Sequence, residues 1–206
     1  MNCRIPMLAL LAAAAAACSE APPPPAPAAV EAAGPAAATD DQAHPAPVDD
    51  ALPPAMGQDL PTFTTEASSA DVASTGPDAP ILRAVRVGQH DGFDRIVFEF
   101  DADGLPQWHV SYIQAPVIHC GSGDEVAVAG AAWLQVRFNG ANAHTEAGEG
   151  TSGPARRTPG LPSLRELVRT CDFEAEVTWV AGVATQQPYR PRVLDAPARL
   201  VIDIAH

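Results

Sequence analysis

Residues 94–100 have the sequence DRIVFEF, and residues 198–204 have the sequence ARLVIDI. Both contain an arginine, an apolar residue, a valine, an apolar residue, an acidic residue and an apolar residue, in that order. Because side chains alternate along a β-strand, each stretch predicts a strand with one apolar face, and with its arginine and its acid on the other face. These are Arg95 with Glu99, and Arg199 with Asp203. Each pair spans about 13 Å along its strand, so every charge needs a partner on a neighbouring strand. The two strands are expected to pair side by side or across a sandwich.

The same two-residue period recurs from residue 81 onward, at residues 81–87, 107–112, 126–128, 133–139 and 173–179. Such strands predict a mainly β fold, either a small β-sandwich or a flattened barrel of antiparallel strands. One short helix is expected among them. Ser163 and Glu166 have the spacing of a capping box, and the apolar residues after them lead to Cys171.

Composition divides the chain into three parts. Residues 1–17 have the features of a signal peptide, with Arg4 before an apolar run that is too short to span a bilayer comfortably. Residues 18–80 contain thirteen prolines and ten acidic residues without a lysine or arginine after the signal, which predicts a disordered linker. Residues 81–206 have the size of a single domain.

The signal ends in a pattern that predicts lipidation. Ala15, Ala16 and Ala17 precede Cys18 as in a bacterial lipobox, although leucine is usual at the position of Ala15. The prediction is an exported lipoprotein held to a membrane by acyl chains such as palmitate on Cys18. Because no aspartate follows Cys18 directly, the anchor is expected at the periplasmic face of the outer membrane of a Gram-negative bacterium. The alternative is an ordinary signal peptide that leaves Cys18 free.

Two cysteines remain in the folded part. In an oxidising compartment, Cys120 and Cys171 predict a disulfide bond. The alternative is a metal site, but two distant thiols without a CxxC motif are weak evidence for zinc.

One aromatic residue has a polar setting. Trp108 and Trp179 fall in register with apolar neighbours and are expected in the core. Trp133 instead shares a strand face with Gln135 and Arg137, which is suited to stacking on a sugar ring and hydrogen-bonding its substituents. The alternative is that the second sheet or a long loop covers Trp133.

Other ligands and activities have little support in the sequence. The net charge of −13 divides into about −10 in the linker and about −4 in the folded part, with Arg4 making up the balance, which argues against nucleic acid as a partner, since phosphate binding needs a basic stripe. The histidines lack ligand spacing, and no serine lies in a nucleophile elbow. We therefore expect no enzyme activity, no catalytic residue, no metal and no cofactor.

The two motif strands also carry a family resemblance. Residues 197–203 resemble the signature strand of AMIN domains, which occur in cell-wall amidases and pilus secretins. Residues 92–100, 134–137 and 171–174 extend this to the AMIN-like domain of bacterial envelope lipoproteins, over about residues 81–204. The resemblance implies a β-sandwich in the envelope that attaches to peptidoglycan without catalysis, or alternatively to a protein of a pilus or secretion-type assembly.

Overall fold

The computed structural model describes residues 61–71 and 79–206. This part of the chain contains strands and no helix. The strands are β1 (Ser68–Ala70), β2 (Leu82–His90), β3 (Phe93–Phe100), β4 (Gln107–Ile113), β5 (Ala132–Asn139), β6 (Arg156–Arg157), β7 (Leu164–Phe173), β8 (Glu176–Val183), β9 (Tyr189–Leu194) and β10 (Arg199–Ala205). Within the same residues, no helix has the length and apolar character that crossing a bilayer requires.

The strands form two antiparallel sheets. One sheet has six strands in the order β1-β4-β5-β8-β7-β6, and the other has four in the order β2-β3-β10-β9. The mainly β prediction is confirmed. Of the two architectures that the sequence left open, the structure has the sandwich, because each sheet keeps two outer strands and no pairing closes a barrel.

The core lies between the two sheets. Phe98 packs edge-on against Phe138 across the sandwich with ring centroids 5.3 Å apart, and its ring lies 6.3 Å from that of Trp179. Trp179 is fully buried and Trp108 is only 5% exposed, so the prediction of core positions for both is confirmed. Burial of these large rings provides much of the apolar stabilisation of the domain.

The two motif strands are direct neighbours in the four-stranded sheet. β3 and β10 pair antiparallel, with Arg95 opposite Asp203 and Glu99 opposite Arg199. The apolar residues that alternate with them, Ile96, Phe98, Leu200 and Ile202, face the core. The side-by-side pairing considered from the sequence is therefore the one that forms, and it places all four charges on the outer face of this sheet.

The predicted helix near Ser163 is wrong, because residues 164–173 form β7. The polar groups that suggested a capping box have tertiary partners instead. Backbone N–H groups of Ser163 and Leu164 donate to Asp94 Oδ2 at 2.7 and 2.8 Å. The Glu166 carboxylate accepts a hydrogen bond from the backbone of Ala129. Pairing with β8 overrides the local helix signal.

Two predicted strands also differ from the structure. Residues 173–179 are interrupted by a tight turn, in which Glu174 and Ala175 have positive φ angles of 50° and 59° and join β7 to β8. Phe173 is consequently 58% exposed rather than buried. Residues 126–128 lie in a loop, since Val126 and Val128 pack on the outside of the six-stranded sheet and belong to no strand.

The domain begins earlier than residue 81. Strand β1 pairs with β4, and Thr64 exchanges backbone hydrogen bonds with Tyr189. Residues 61–71 of the predicted linker therefore belong to the sandwich. They have few large apolar side chains, so their order depends on partners that local sequence does not reveal. The predicted signal peptide, the lipidation site Cys18 and the rest of the linker lie outside the described residues.

Candidate functional site

A band of polar side chains crosses the outer face of the six-stranded sheet. Leu134, Val136 and Phe138 of β5 are fully buried, so the residues that alternate with them point away from the core. The same holds on the neighbouring strand β4. We call this band the polar strip; its members are Gln107, His109 and Ser111 on β4 and Gln135, Arg137 and Asn139 on β5.

The half-buried Arg137 lies in the middle of the polar strip. Among the arginines of residues 61–71 and 79–206, it is the one whose guanidinium group makes no hydrogen bond or ion pair. Its Nε atom is buried without an acceptor, and so is Nδ1 of the cross-strand neighbour His109. A partly buried cation without a counter-charge costs free energy, which a bound acceptor would recover.

The ends of the polar strip differ in their hydrogen bonding. Gln107 Nε2 donates to Asp71 Oδ1 at 2.6 Å, and Asn139 Nδ2 donates to Gln107 Oε1 at 3.3 Å. These amides already have protein partners. The Gln135 side chain makes no hydrogen bond within the described residues. The side chains of the polar strip without a hydrogen bond in the described part of the chain are therefore the central ones, His109, Ser111, Gln135 and Arg137.

Trp133 follows on β5 at the other end of the polar strip. Its indole is half-buried, and Nε1 donates to the carbonyl oxygen of Val128 at 3.1 Å. Residues 114–131 form a loop, here called the covering loop, that packs on this end of the sheet through a small apolar cluster of Val117, Val128, Val168 and Val180. The structure therefore brings Trp133, Gln135 and Arg137 onto one face, as the alternation implied. A loop covers part of the indole, which leaves less of it for stacking.

The covering loop and the sheet enclose a cleft of about 420 Å³ next to Trp133. Its walls are mostly apolar and include Pro116 and Val128. At its edge, Arg156 pairs with Glu166, which also accepts the backbone hydrogen bond of Ala129 at 2.8 Å. Burial raises the pKa of Glu166, but the bond from Ala129 and the Arg156 cation outweigh burial and hold that pKa below its usual value. The carboxylate thus remains charged at neutral pH.

A disulfide bond between Cys120 and Cys171 ties the covering loop to β7. The two Cα atoms are 5.2 Å apart, and the bond closes a sequence separation of 51 residues. The predicted pairing is confirmed. Because both sulfur atoms are bonded to each other, neither thiol is available as a nucleophile or a metal ligand.

The charged residues of the two motif strands have different partners. Arg95 donates through Nε to Asp203 Oδ1 at 2.7 Å and through Nη2 to Oδ2 at 3.1 Å. Glu99 instead pairs with Arg86 of β2, and Arg199 donates to the carbonyl oxygen of Pro197. The sequence indicated that all four charges need partners on neighbouring strands. Of the two pairs that lie opposite each other, Arg95 and Asp203 form an ion pair, whereas Glu99 and Arg199 do not.

Sequence reasoning missed two further arginines on this face. Arg190 and Arg192 of β9 both lie close to Asp203, with nitrogen–oxygen distances of 3.0 and 3.8 Å. The available signal was their spacing of two residues in YRPRVL, which places them on one face of a strand.

His144 belongs to a network of structural contacts. His144 Nδ1 lies 2.8 Å from Asp172 Oδ1, which also accepts a backbone hydrogen bond from Ala143. Arg169 forms an ion pair with the same carboxylate at 3.2 Å. Within residues 61–71 and 79–206, no three His, Cys, Asp or Glu side chains group as metal ligands would.

The fold and this face define a β-sandwich that presents binding groups on its sheets. The chain belongs to the AMIN-like domain family, whose model matches residues 80–206. No curated protein and no solved structure matched the chain. Family membership indicates an interaction module of the bacterial envelope, for peptidoglycan or for envelope assembly.

Proposed function

We propose that this protein is a non-catalytic binding module that holds peptidoglycan on the polar strip. The observation that supports the proposal is the unpaired guanidinium group of Arg137, which stands beside the free amide of Gln135 on a flat sheet face. Peptidoglycan offers matching chemistry, because its glycan strands carry acetamido groups and its stem peptides carry carboxylates.

Three residues of β5 have a role in this proposal. Arg137 binds a carboxylate through charge-assisted hydrogen bonds. Gln135 donates to and accepts from an acetamido group. Trp133, about 13 Å from Arg137 along β5, packs its exposed part against the apolar face of a sugar ring. The proposal gives none of these residues a catalytic role.

Localisation in the envelope follows from the family. We further propose that acyl chains on Cys18 anchor the protein at the outer membrane, and that the acidic linker extends the domain toward the cell wall.

Co-sedimentation of the full chain with purified sacculi tests the proposed function. Replacing Arg137 with glutamine removes the cation and keeps a polar side chain, so we expect retention to weaken about tenfold. Arg165→Gln is the matched control, because Arg165 is an exposed arginine of the same sheet that donates only to the carbonyl oxygen of Leu161. Equal retention of the wild type and both variants would exclude the polar strip as the site.

The second candidate is a protein partner from a pilus or secretion-type assembly. The apolar cleft beside Trp133 favours it, because the cleft has the volume to receive side chains of another protein. In that case Trp133→Ala reduces co-purification of an envelope protein and leaves binding to sacculi unchanged. Loss of sacculus binding in Trp133→Ala favours the peptidoglycan proposal instead.

A further inference from the structure

Three arginines converge on one carboxylate at the outer face of the four-stranded sheet. We call Arg95, Arg190 and Arg192 the arginine cluster. Arg95 and Arg190 hydrogen-bond to Asp203, which has no solvent exposure, and Nη2 of Arg192 lies 3.8 Å from its Oδ2 atom. This face belongs to the other sheet from the polar strip, so the two sites are separate.

The arginine cluster has more positive charge than its acid neutralises. Three guanidinium groups against one carboxylate leave an excess of two positive charges. Glu99, the other acid of the two motif strands on this face, is paired with Arg86 at 2.8 Å. Asp203 therefore balances one of the three cations of the cluster.

Burial makes this excess costly. The side chains of Arg95, Arg190 and Arg192 are only 12%, 15% and 15% exposed. The Nε atom of Arg192 is buried without a hydrogen-bond partner. Burial lowers the pKa of Arg192, and the charges of Arg95 and Arg190 lower it further against the opposing effect of Asp203. A bound anion would relieve both the repulsion and the missing hydrogen bond.

Aromatic rings hold two of the three guanidinium groups in place. Arg190 lies over the ring of Phe63 at 4.5 Å from its centroid, and Arg95 lies over Phe93 at 5.0 Å. Arg190 also approaches the Phe93 ring at 5.4 Å. These contacts reduce the conformational entropy that the arginines would lose on binding a ligand.

We propose that the arginine cluster is a binding site for a phosphate group. A phosphate monoester carries up to two negative charges, which matches the excess of two. Its several acceptor oxygens suit the forked donors of arginine, and each arginine of the cluster retains N–H groups that Asp203 does not use. The phosphate comes from either a soluble molecule or a lipid headgroup.

Titration of the full chain with inorganic phosphate tests this site by NMR of the arginine Nε–H signals. We expect the signals of Arg190 and Arg192 to shift, whereas sodium chloride at equal ionic strength leaves them in place. Arg192→Gln weakens the apparent affinity for phosphate about tenfold, because it removes a charged, forked donor. Arg192→Lys, which keeps the charge and loses the fork, has a smaller effect. Arg165→Gln on the other sheet leaves the affinity unchanged.

Arg192 is chosen because it makes no hydrogen bond to Asp203, so its replacement disturbs the fold least; the backbone amide spectrum verifies that the variant is folded. Unchanged Arg190 and Arg192 signals in the wild type, or an equal loss of affinity in Arg165→Gln, would overturn the proposal.

Once phosphate binding is seen, binding to lipid vesicles distinguishes the two sources of the phosphate group. A lipid headgroup predicts that vesicles containing phosphatidic acid, whose phosphate is a monoester, retain more protein than phosphatidylcholine vesicles, and that Arg192→Gln removes the difference. A soluble phosphate compound predicts no difference between the two vesicles.

Discussion

Two carboxylates of the domain, Asp94 and Asp203, have no solvent exposure, and the fold stabilises them in different ways. Asp94 points toward the core side of β3 and accepts the backbone N–H groups of Ser163 and Leu164. Asp203 points outward and accepts hydrogen bonds from two guanidinium groups. The backbone donors to Asp94 carry no net charge, whereas the arginines around Asp203 repel one another. Removal of the Asp203 carboxylate therefore leaves a group of cations without a counter-charge.

We expect Asp203→Asn to lower the free energy of unfolding by about 3–5 kcal/mol, as for the loss of one partner from a buried ion pair. Glu99→Gln is the control on the same face, because its pair with Arg86 is partly exposed and contributes about 0–1 kcal/mol. Urea unfolding at neutral pH measures both. A similar small loss in the two variants would show that the arginine cluster does not depend on Asp203.

The hydroxyl group of Tyr112 is expected to make the free energy of unfolding fall at alkaline pH. It donates to the carbonyl oxygen of Gln187 and accepts the N–H of the same residue at 3.1 Å. Burial raises the pKa of Tyr112 to about 12, although the bond to Gln187 acts in the opposite direction. Because the folded state holds the hydroxyl proton more tightly than the unfolded state, the contribution of this group to the free energy of unfolding is complete below the unfolded pKa of 10.0. That contribution is lost as the pH rises toward 12. We expect the wild type to lose stability between these pH values more steeply than Tyr112→Phe in urea titrations. Parallel curves would contradict this assignment.

At the scale of elements, the covering loop depends on a glycine in β8. A Cβ atom at Gly182 would collide with the carbonyl oxygen of Ala129 and would lie 2.9 Å from a methyl carbon of Val128. Gly182 also pairs with Trp133 across the sheet. The absence of a side chain therefore lets the loop backbone approach the sheet directly beside the indole, and this approach forms the cleft. The Cys120–Cys171 bond ties a different part of the loop to β7.

Gly182→Ala is expected to lower the free energy of unfolding by about 1–3 kcal/mol through overpacking. Gly88→Ala in β2 is the matched control, since a Cβ there meets no atom within 4 Å and the strand gains from losing a glycine. Tryptophan fluorescence during urea unfolding reports both effects. Unchanged stability in Gly182→Ala would mean that the loop moves away from the sheet at little cost.

At the scale of the whole molecule, the density of acidic residues differs between the parts of the chain. Ten of its 25 acidic residues lie in residues 18–80, while the two outer faces of the sandwich carry the unpaired Arg137 and the arginine cluster. Cationic sites on the faces of the sandwich are suited to contact anionic partners. Both proposed sites follow this arrangement.

The mature protein is expected to begin at an acylated Cys18 and to have two hydrogens fewer at Cys120 and Cys171. Mass spectrometry of protein extracted from the membrane fraction measures both differences. A mature chain with an unmodified thiol at Cys18 would contradict the anchor and would leave the disulfide unaffected.

The sequence by itself determined the mainly β fold, the outward position of Arg95, Glu99, Arg199 and Asp203, and the disulfide pair. Side-chain alternation is a local property of each strand, and the disulfide was predicted from the number of cysteines and an oxidising compartment, so both can be recognised without coordinates. The tertiary structure alone decided that residues 164–173 form a strand, that the covering loop lies over Trp133, and that Arg190 and Arg192 join Asp203. These features depend on contacts with other elements: the hydrogen bonds of Ser163 and Leu164 to Asp94 and the pairing of β7 with β8, the close approach of the loop backbone at Gly182, and a buried carboxylate on the neighbouring strand β10. Short-range preference is weak compared with such contacts, which form only when the two sheets are complete.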